Sequence, residues 1–418
     1  MIQPSTRILV LGAGIAGLLF TLRLSGKVAP SAVQITLVDE ADTFIVRPRL
    51  HEFVTNQRIF SRPFLKIVRK TPIQFVQGRV TSLDPSQHRV TVLDQHQQRH
   101  ELDYDYLVYA LGSMTDRQNV PGVDQYAYSL DAQGPFSALD LRERLPELEA
   151  RNGQVVVCGA GATGIETAAQ VASVYPHIKV SLLTRGAFAR SWNKSVAEQI
   201  RQRLANLGVE IIEQSLVSAV HAQSVTLQGG RALSCDLCIW TTGFAVQPLA
   251  REAGLAVNER GQILVDPSLR SVSHQQIYAI GDAASPVENP GVSHVRMSAY
   301  TASIMGAHGA DCLSAILSGK VPKPLSFTYL AQAIALGQRH AIFLALSPDD
   351  QARPPYVTGR VGAFIREVFI RFVITAVLAQ HRFPGLFAWF GKQRYEQVQR
   401  REQQAHEEHP SQPLHHLS

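Results

Sequence analysis

The sequence predicts an α/β chain with two parallel sheets, and two observations carry that prediction. The first is an internal echo. Arg7-Ile8-Leu9-Val10-Leu11 reads as a buried parallel strand, followed by Gly12-Ala13-Gly14-Ile15-Ala16-Gly17 and an apolar helix to Leu24. Gln154-Val155-Val156-Val157 repeats the design, leading into Gly159-Ala160-Gly161-Ala162-Thr163-Gly164 and a second helix. The second observation is that each unit goes on to another short strand, Gln34 to Val38 closed by Asp39 in the first and Lys179 to Leu183 in the second. Strands buried on both faces read as continuous apolar runs. A glycine loop between such a strand and a helix lets a pyrophosphate reach the unpaired amides at the positive helix end. One loop of this kind is weak evidence, whereas two in matching context predict two Rossmann-like dinucleotide-binding domains.

The remaining elements follow in order. Gln74 to Val76, Val80 to Leu83 and Arg89 to Leu93 read as a small β excursion, with His100 to Leu102 adding a fourth segment. Tyr104 to Ala110 is a strand ending in Leu111-Gly112-Ser113, and its later partner, Asp236 to Trp240, ends in Thr241-Thr242-Gly243-Phe244. A further strand, Ile277 to Ile280, runs into Gly281-Asp282-Ala283. This order inserts the second domain in the first: residues 1–115 and 255–320 form one, and residues 116–254 the other. From Phe327 the pattern changes to short β-like pieces and an apolar stretch from Val361 to Ala379, so a C-terminal α+β region is expected over 321–392. Residues 393–418, rich in Gln, Glu and His, are expected to be disordered.

At 418 residues the chain is too long for one ordinary domain, and 45% hydrophobic with 18% charged residues excludes both a wholly disordered chain and a polytopic membrane protein. Forty Lys and Arg against 34 acids leave a net charge of +6, too modest to identify a nucleic-acid binder, and no nucleic-acid partner is expected. The excess fits contact with anionic lipid or with phosphate-rich cofactors equally well. Ile8 to Phe20 imitates the core of a signal peptide, but its patterned glycines and the missing cleavage site read as folded structure. No apolar run reaches the ~20 residues a spanning helix needs. Four cysteines speak against a disulfide scaffold and suit a reducing compartment, so a cytoplasmic location is expected.

Asp39 ends the second strand of the first unit, where a carboxylate can accept from a ribose 2′-hydroxyl. Aligning the units puts Thr184 opposite Asp39 and Arg185 opposite Glu40, with Arg190 close behind and no acid present. A carboxylate would repel a 2′-phosphate, whereas Arg binds it with a bidentate fork. The second unit is therefore expected to accept NADPH; the alternative is that Arg185 is a solvated loop cation.

The series GAGIAG, Asp39, YLVYALGS, GAGATGIE, IWTTGF, IYAIGDAA resembles the two-dinucleotide-binding-domain flavoproteins of the pyridine nucleotide-disulfide oxidoreductase superfamily, and among them the type II NAD(P)H dehydrogenases. The likeness covers about the first 320 residues and part of the C-terminal region. It implies FAD on Gly12, Gly14, Gly17 and Asp39, and NADPH or NADH on Gly159, Gly161 and Gly164, to which the alignment of the two units adds Arg185 and Arg190. The motif glycines Gly112, Gly243 and Gly281 would lie at the cofactors. Arg47 matches a basic residue near the flavin nucleotide, Val80 a backbone contact to adenine, and Asp282 the acid that binds the ribitol chain. Glu166 matches a catalytic Glu near nicotinamide and flavin, implicated in cofactor placement or proton handling; as a first-turn acid it could equally serve the helix dipole.

Disulfide reductases on this scaffold need a reactive Cys pair beside the flavin. No cysteine precedes Cys158, and Cys235-Asp236-Leu237-Cys238 enters a predicted strand, so all four read as structural. Electrons would then pass from reduced flavin directly to a small acceptor, and two-electron transfer suits a quinone. The family's glutamine motif is replaced by His294-Val295-Arg296-Met297-Ser298-Ala299-Tyr300, with Arg296 and Tyr300 in the places of the two glutamines, from which both could still donate to a carbonyl. Val361, Phe364, Ile365, Val368, Phe369, Phe372 and Val373 lie near one helical face with Arg360, Arg366 and Arg371 among them. Such a face suits either a peripheral helix in a bilayer interface, on the cytoplasmic side of the membrane, or a core or homodimer helix. The histidines at 406, 409, 415 and 416 read as solvated, and no metal ligand set is expected. Two other functions stay open, a ferredoxin-type reductase and a non-catalytic FAD/NAD(P)H redox sensor.

Overall fold

Leu9, Val10 and Leu11 lose nearly all contact with solvent because the strand Thr6–Leu11 runs through the middle of a five-stranded parallel sheet. The structure is a computed structural model and describes residues 5–391 apart from 133, 191, 288, 290–294 and 349. His294, the expected tail 393–418 and its histidines lie outside the described residues. The spatial order of the first sheet is Ile277–Ala279, Tyr106–Tyr109, Thr6–Leu11, Val33–Asp39, Ile73–Gln77. Every pairing in it is parallel. The helices Ile15–Ser25 and Ala299–Leu317 pack together against it.

The second sheet repeats the plan in the order Ala127–Tyr128, Leu237–Trp240, Gln154–Cys158, Lys179–Leu183, Glu210–Ile212, also parallel throughout. In both sheets the strand that feeds the glycine loop is central, so each loop opens at the carboxyl ends of the strands, where parallel sheets bind ligands. One strand assignment is corrected. Residues 74–76 belong not to the β excursion but to the edge of the first parallel sheet, because Ile73–Gln77 pairs in parallel with Val33–Asp39. A single residue, Gly78, separates this strand from the true excursion, the antiparallel strands Arg79–Asp84, Arg89–Leu93 and Arg99–Asp103. The second unit has its own three-stranded excursion, Val217–His221, Ser224–Leu227 and Ala232–Ser234, which the sequence reading did not pick out.

The chain crosses between the units twice, and the crossings Met114–Thr115 and Phe244–Ala245 pair as an antiparallel ribbon. C-terminal to both lies a three-stranded sheet, Ala331–Ala335, Ala341–Leu346 and Ala352–Val357, followed by the helix Gly359–Leu378. Ile334, Leu336, Ile342 and Leu344 are buried with Ile165, Ala168 and Ala169 of the second unit, whereas Ala376 and Val377 join the core of the first. Arg23, 3% exposed, anchors this end: it donates to Asp311 (2.7 and 2.9 Å), to Gln380 Oε1 (2.8 Å) and to the Phe387 carbonyl (3.1 Å). The C-terminal helix turns one of its charged residues inward and much of its aromatic face outward. Arg366 is buried, whereas Val361, Phe364, Val368, Phe369 and Phe372 are 47–70% exposed.

Candidate cofactor clefts and a buried charge network

The first glycine loop is built for close approach. Gly12 has φ of +95° and a β-carbon there would strike the Ala110 carbonyl; one on Gly17 would strike the carbonyl oxygen of Gly12. Gly14 caps the helix Ile15–Ser25, and no neighbouring atom lies within 4 Å of where its β-carbon would sit. The first amides of that helix have no partner within it, so they are presented to any group that reaches the loop. Asp39 braces the loop: its Oδ2 accepts from the Ala13 amide (2.6 Å) and its Oδ1 from the Ala41 amide (2.9 Å). Each oxygen retains a second lone pair for a ribose hydroxyl. Burial pushes the Asp39 carboxyl up, against the pull of those amides and of Arg47.

Asp282 lies in the short turn Gly281–Ala283 after the edge strand Ile277–Ala279, two strands from the one that feeds the glycine loop. Its Oδ2 accepts from Ser113 Oγ (2.6 Å), and its Oδ1 is buried with no hydrogen-bond partner. A buried acceptor left unmade costs about 1–3 kcal/mol, and a hydroxyl-bearing chain such as ribitol would relieve it. Burial raises the Asp282 carboxyl, while the Ser113 hydroxyl, Arg47 and the Ser298 backbone amide pull it down. Arg47 therefore acts electrostatically on both Asp39 and Asp282; its Nη1 lies 3.9 Å from the open side of Gly112, and its Nη2 3.4 Å from Asp131. Val80 is half-buried in the excursion, two residues beyond Gly78, whose amide donates to the Asp39 carbonyl at 2.8 Å. The residues present fit a flavin adenine dinucleotide.

The second loop repeats the geometry. A β-carbon on Gly164 would strike the Gly159 carbonyl, and Gly161 faces open space. Gly159, Gly161, Arg185, Arg190 and Gly243 all line one cleft of about 940 Å³. Both arginines are exposed, and neither forms an ion pair or side-chain hydrogen bond among the described residues. The cleft also takes in Trp240 and Phe244 of the IWTTGF motif, and Asp116 and Asn119, which the sequence alone did not single out. The Trp240 indole N–H donates to the Asp116 carbonyl at 2.9 Å, tying the two crossings together.

Glu166, on the helix Ala162–Val174, is not among the residues lining that cleft. Its Oε1 accepts from the Ala335 amide (2.9 Å), and its Oε2 lies 3.7 Å from His51 Nδ1. His51 opens a buried network. Its Nε2 is 3.4 Å from Arg366 Nη2, and Arg366 Nη1 donates to Glu52 Oε1 at 2.8 Å. Glu52 Oε2 accepts from Arg49 Nε (2.9 Å), and Arg49 reaches Glu367 (3.1 Å), which Arg371 also pairs (2.7 Å). Burial pushes Glu166 up to about 7 despite Arg366. Burial, helped by Arg366, brings His51 down to about 3, so its ring is neutral. Burial would raise Glu52, but Arg366 and Arg49 hold it below the usual range. A donor at Nε2 leaves the imidazole proton on Nδ1, facing Glu166. The signals available in sequence were His51-Glu52 set between Leu50 and Phe53, and Arg366 within the apolar stretch from Val361 to Ala379.

Arg296 pairs with Asp350 (2.8 Å) and lies over the Tyr329 ring, and the Tyr300 hydroxyl donates to the Thr328 carbonyl at 2.7 Å. These two side chains thus fasten the helix Ala299–Leu317 to the C-terminal segment, and the Tyr300 proton is already engaged. All four cysteines are buried and free. Cys238 faces Cys158 (Sγ to Sγ 3.7 Å) and not Cys235, and burial raises the Cys235 thiol to about 12.

Residues 6–306 match the family described as pyridine nucleotide-disulphide oxidoreductase. The chain is 29% identical over 365 residues to a demethylphylloquinone reductase, NdbB, of Synechocystis sp., covering 83% of this chain and 88% of the relative. It is 26% identical over 440 residues to an alternative NAD(P)H-ubiquinone oxidoreductase of Arabidopsis thaliana, covering 92% and 80%. Its fold is similar to that of NDH2 from Plasmodium falciparum solved with NADH, with a TM-score of 0.78 at 17% identity over 91% of this chain and 97% of the other.

Proposed function

Because the chain belongs to the pyridine nucleotide-disulphide oxidoreductase family, we propose that it is an FAD-dependent NAD(P)H:quinone oxidoreductase of the type II kind. The observation that carries this reading is the pair of matched glycine loops on two parallel sheets, with the buried Asp282 Oδ1 still lacking a donor beside the first. The relatives' names support the acceptor, for they include reductases of demethylphylloquinone and ubiquinone. Bound FAD supplies the chemistry that side chains lack, accepting a hydride from the nicotinamide and giving up two electrons to the quinone.

The protein's own part is binding, orientation and proton handling. Residues 1–115 and 255–320 hold FAD, residues 116–254 hold NAD(P)H, and 321–392 face the acceptor and the membrane. The amides behind Gly12, Gly14 and Gly17 receive the FAD pyrophosphate, Asp39 the ribose and Asp282 the ribitol, with Arg47 balancing the charge. Gly159, Gly161 and Gly164 serve the second nucleotide in the same way. Arg185 and Arg190 favour the 2′-phosphate of NADPH, two unpaired cations where the first unit has Asp39 and Glu40. Glu166, poised near neutral pH, holds a proton for the reduced acceptor, and neutral His51 orients it.

Attachment to the membrane is peripheral and on the cytoplasmic side, through the outward apolar face of the helix Gly359–Leu378. Among the described residues no helix is long and apolar enough to cross a membrane. The test is steady-state oxidation of NADH and NADPH in parallel against a panel of quinones and a ferredoxin. Quinone turnover is expected, and Arg185→Glu should lower the NADPH-to-NADH ratio of kcat/KM at least tenfold, since one charge-assisted phosphate contact contributes about 1.5–3 kcal/mol. An unchanged ratio contradicts the 2′-phosphate assignment, and turnover with ferredoxin alone contradicts the acceptor.

A further inference from the structure

The segment after the first unit's second strand carries a group of cations that the proposed reaction does not use. The strand Ser61–Pro63 pairs with Thr43–Ile45, and the short helix Phe64–Val68 follows it directly. Phe64 and Val68 are buried in the core, so the piece is anchored and its other side faces solvent. On that side Arg62, Lys66, Arg69 and Lys70 are all exposed. Together with Ile67 and Leu378 they line a cavity of about 430 Å³. None of the four cations forms an ion pair or a side-chain hydrogen bond among the described residues. Four like charges around one cavity repel one another unless an anion joins them.

The sixth lining residue places this cavity in the molecule. Leu378 is the last residue of the C-terminal helix and lies on the same flank as Arg371 and Phe364, by the 3.6-residue period. The cavity therefore opens at the end of the flank that carries Phe364, beside the face that exposes Val368 and Phe372, and Leu65, next to Lys66 in the chain, is a further exposed apolar side chain at 66%. Apolar side chains that enter acyl chains, bordered by cations at phosphate depth, match the cross-section of an anionic leaflet.

We propose that Arg62, Lys66, Arg69 and Lys70 bind the phosphodiester headgroup of an anionic phospholipid, so that lipid charge sets how tightly the protein docks. This rests on the membrane attachment proposed above and adds to it a headgroup class and the residues that read it.

The experiment uses the full FAD-loaded chain and co-sedimentation with vesicles of phosphatidylcholine, alone or mixed with phosphatidylglycerol. Each cation near an anionic surface contributes roughly fivefold in affinity, so Lys66→Gln/Lys70→Gln should weaken binding to the mixed vesicles about 25-fold and leave binding to phosphatidylcholine unchanged. Its turnover with a short-chain quinone, unchanged from the parent, confirms that it is folded. The preference for mixed vesicles should vanish at about 1 M salt, where the Debye length is near 3 Å. Phe364→Ser/Phe372→Ser should weaken binding to both kinds of vesicle.

Equal binding of the parent to both vesicles, with release by the Phe variant, overturns the headgroup site and leaves membrane attachment standing. A variant lacking the two lysines that keeps the full preference also overturns it, as does release by inorganic phosphate at constant ionic strength, which would mark a site for a free anion. No binding of the parent to either vesicle, or a dimer that buries the Phe364 face, overturns the attachment and the site together.

Discussion

Glu166 and Asp282 show how one functional group, a buried carboxyl, takes different roles in different surroundings. Both are carboxyls raised by burial, but Glu166 has a backbone amide and a neutral imidazole beside it, whereas Asp282 has an oxygen left without a donor. With Glu166 near 7, the group is half protonated at neutral pH, so acceptor reduction should slow as pH rises through about 7. In Glu166→Gln that limb of the kcat profile should disappear and kcat should fall about 100-fold, the lower end for a general acid. A profile unchanged from the parent would remove Glu166 from proton handling. Linkage gives a second readout. A carboxyl whose folded value lies above its unfolded one binds its proton more tightly in the native state. Its contribution is thus complete below the ordinary Glu range and is lost as pH rises to about 7, and Glu166→Gln should flatten that slope in urea midpoints. Asp282→Ala removes the orphaned acceptor, and the variant should release FAD on gel filtration, with affinity lower by about 10- to 100-fold. Retention equal to the parent would contradict the ribitol assignment.

At the scale of elements, the glycine loops were legible because their constraint is local. Gly12 and Gly17 touch each other through the backbone five residues apart, and the same spelling at Gly159 and Gly164 gives the same contact. Other features were out of reach for physical reasons. Ile73–Gln77 looked like part of the excursion because one glycine is too short a signal to mark a change of sheet. His51, Glu52 and Arg366 could not be grouped, for Arg366 lies 314 residues from Glu52 and no spacing rule spans that distance. The C-terminal helix was legible as amphipathic, but its direction was not: the sequence allowed a core helix, and the structure buries Arg366 and exposes the phenylalanines. That inversion follows from the network. Once Arg366 reaches Glu52, the opposite face, with Phe364, Val368 and Phe372, must point outward. Arg366→Leu should therefore destabilise the protein by about 3–5 kcal/mol, because it leaves Glu52 buried beside a lost partner. A urea midpoint within error of the parent would show that the network holds nothing together.

For the whole molecule, the C-terminal region joins what the crossing ribbon only tethers. Its sheet is buried against the second unit, its helix end against the first, and Arg23 and Arg366 hold it from two sides. The two loops are thereby fixed on rigid sheets, while the surface that would meet a quinone and a membrane is carried by one late segment. The same segment meets Glu166 through Ala335, so the carboxyl proposed for proton handling and the face proposed for docking share a support. Nothing in this arrangement calls for sulfur chemistry, since the four thiols are buried and Cys235 is raised to about 12 by that burial. The central claim is electron transfer from NAD(P)H to a quinone through bound FAD alone. Its most direct test is anaerobic rapid mixing of FAD-loaded protein with NADPH and then with a quinone, following flavin absorbance in the parent and in Cys158→Ala/Cys238→Ala. Absorbance should bleach with NADPH and return with the quinone at similar rates in both proteins; flavin that stays bleached before every quinone, or recovers only in the parent, contradicts the account.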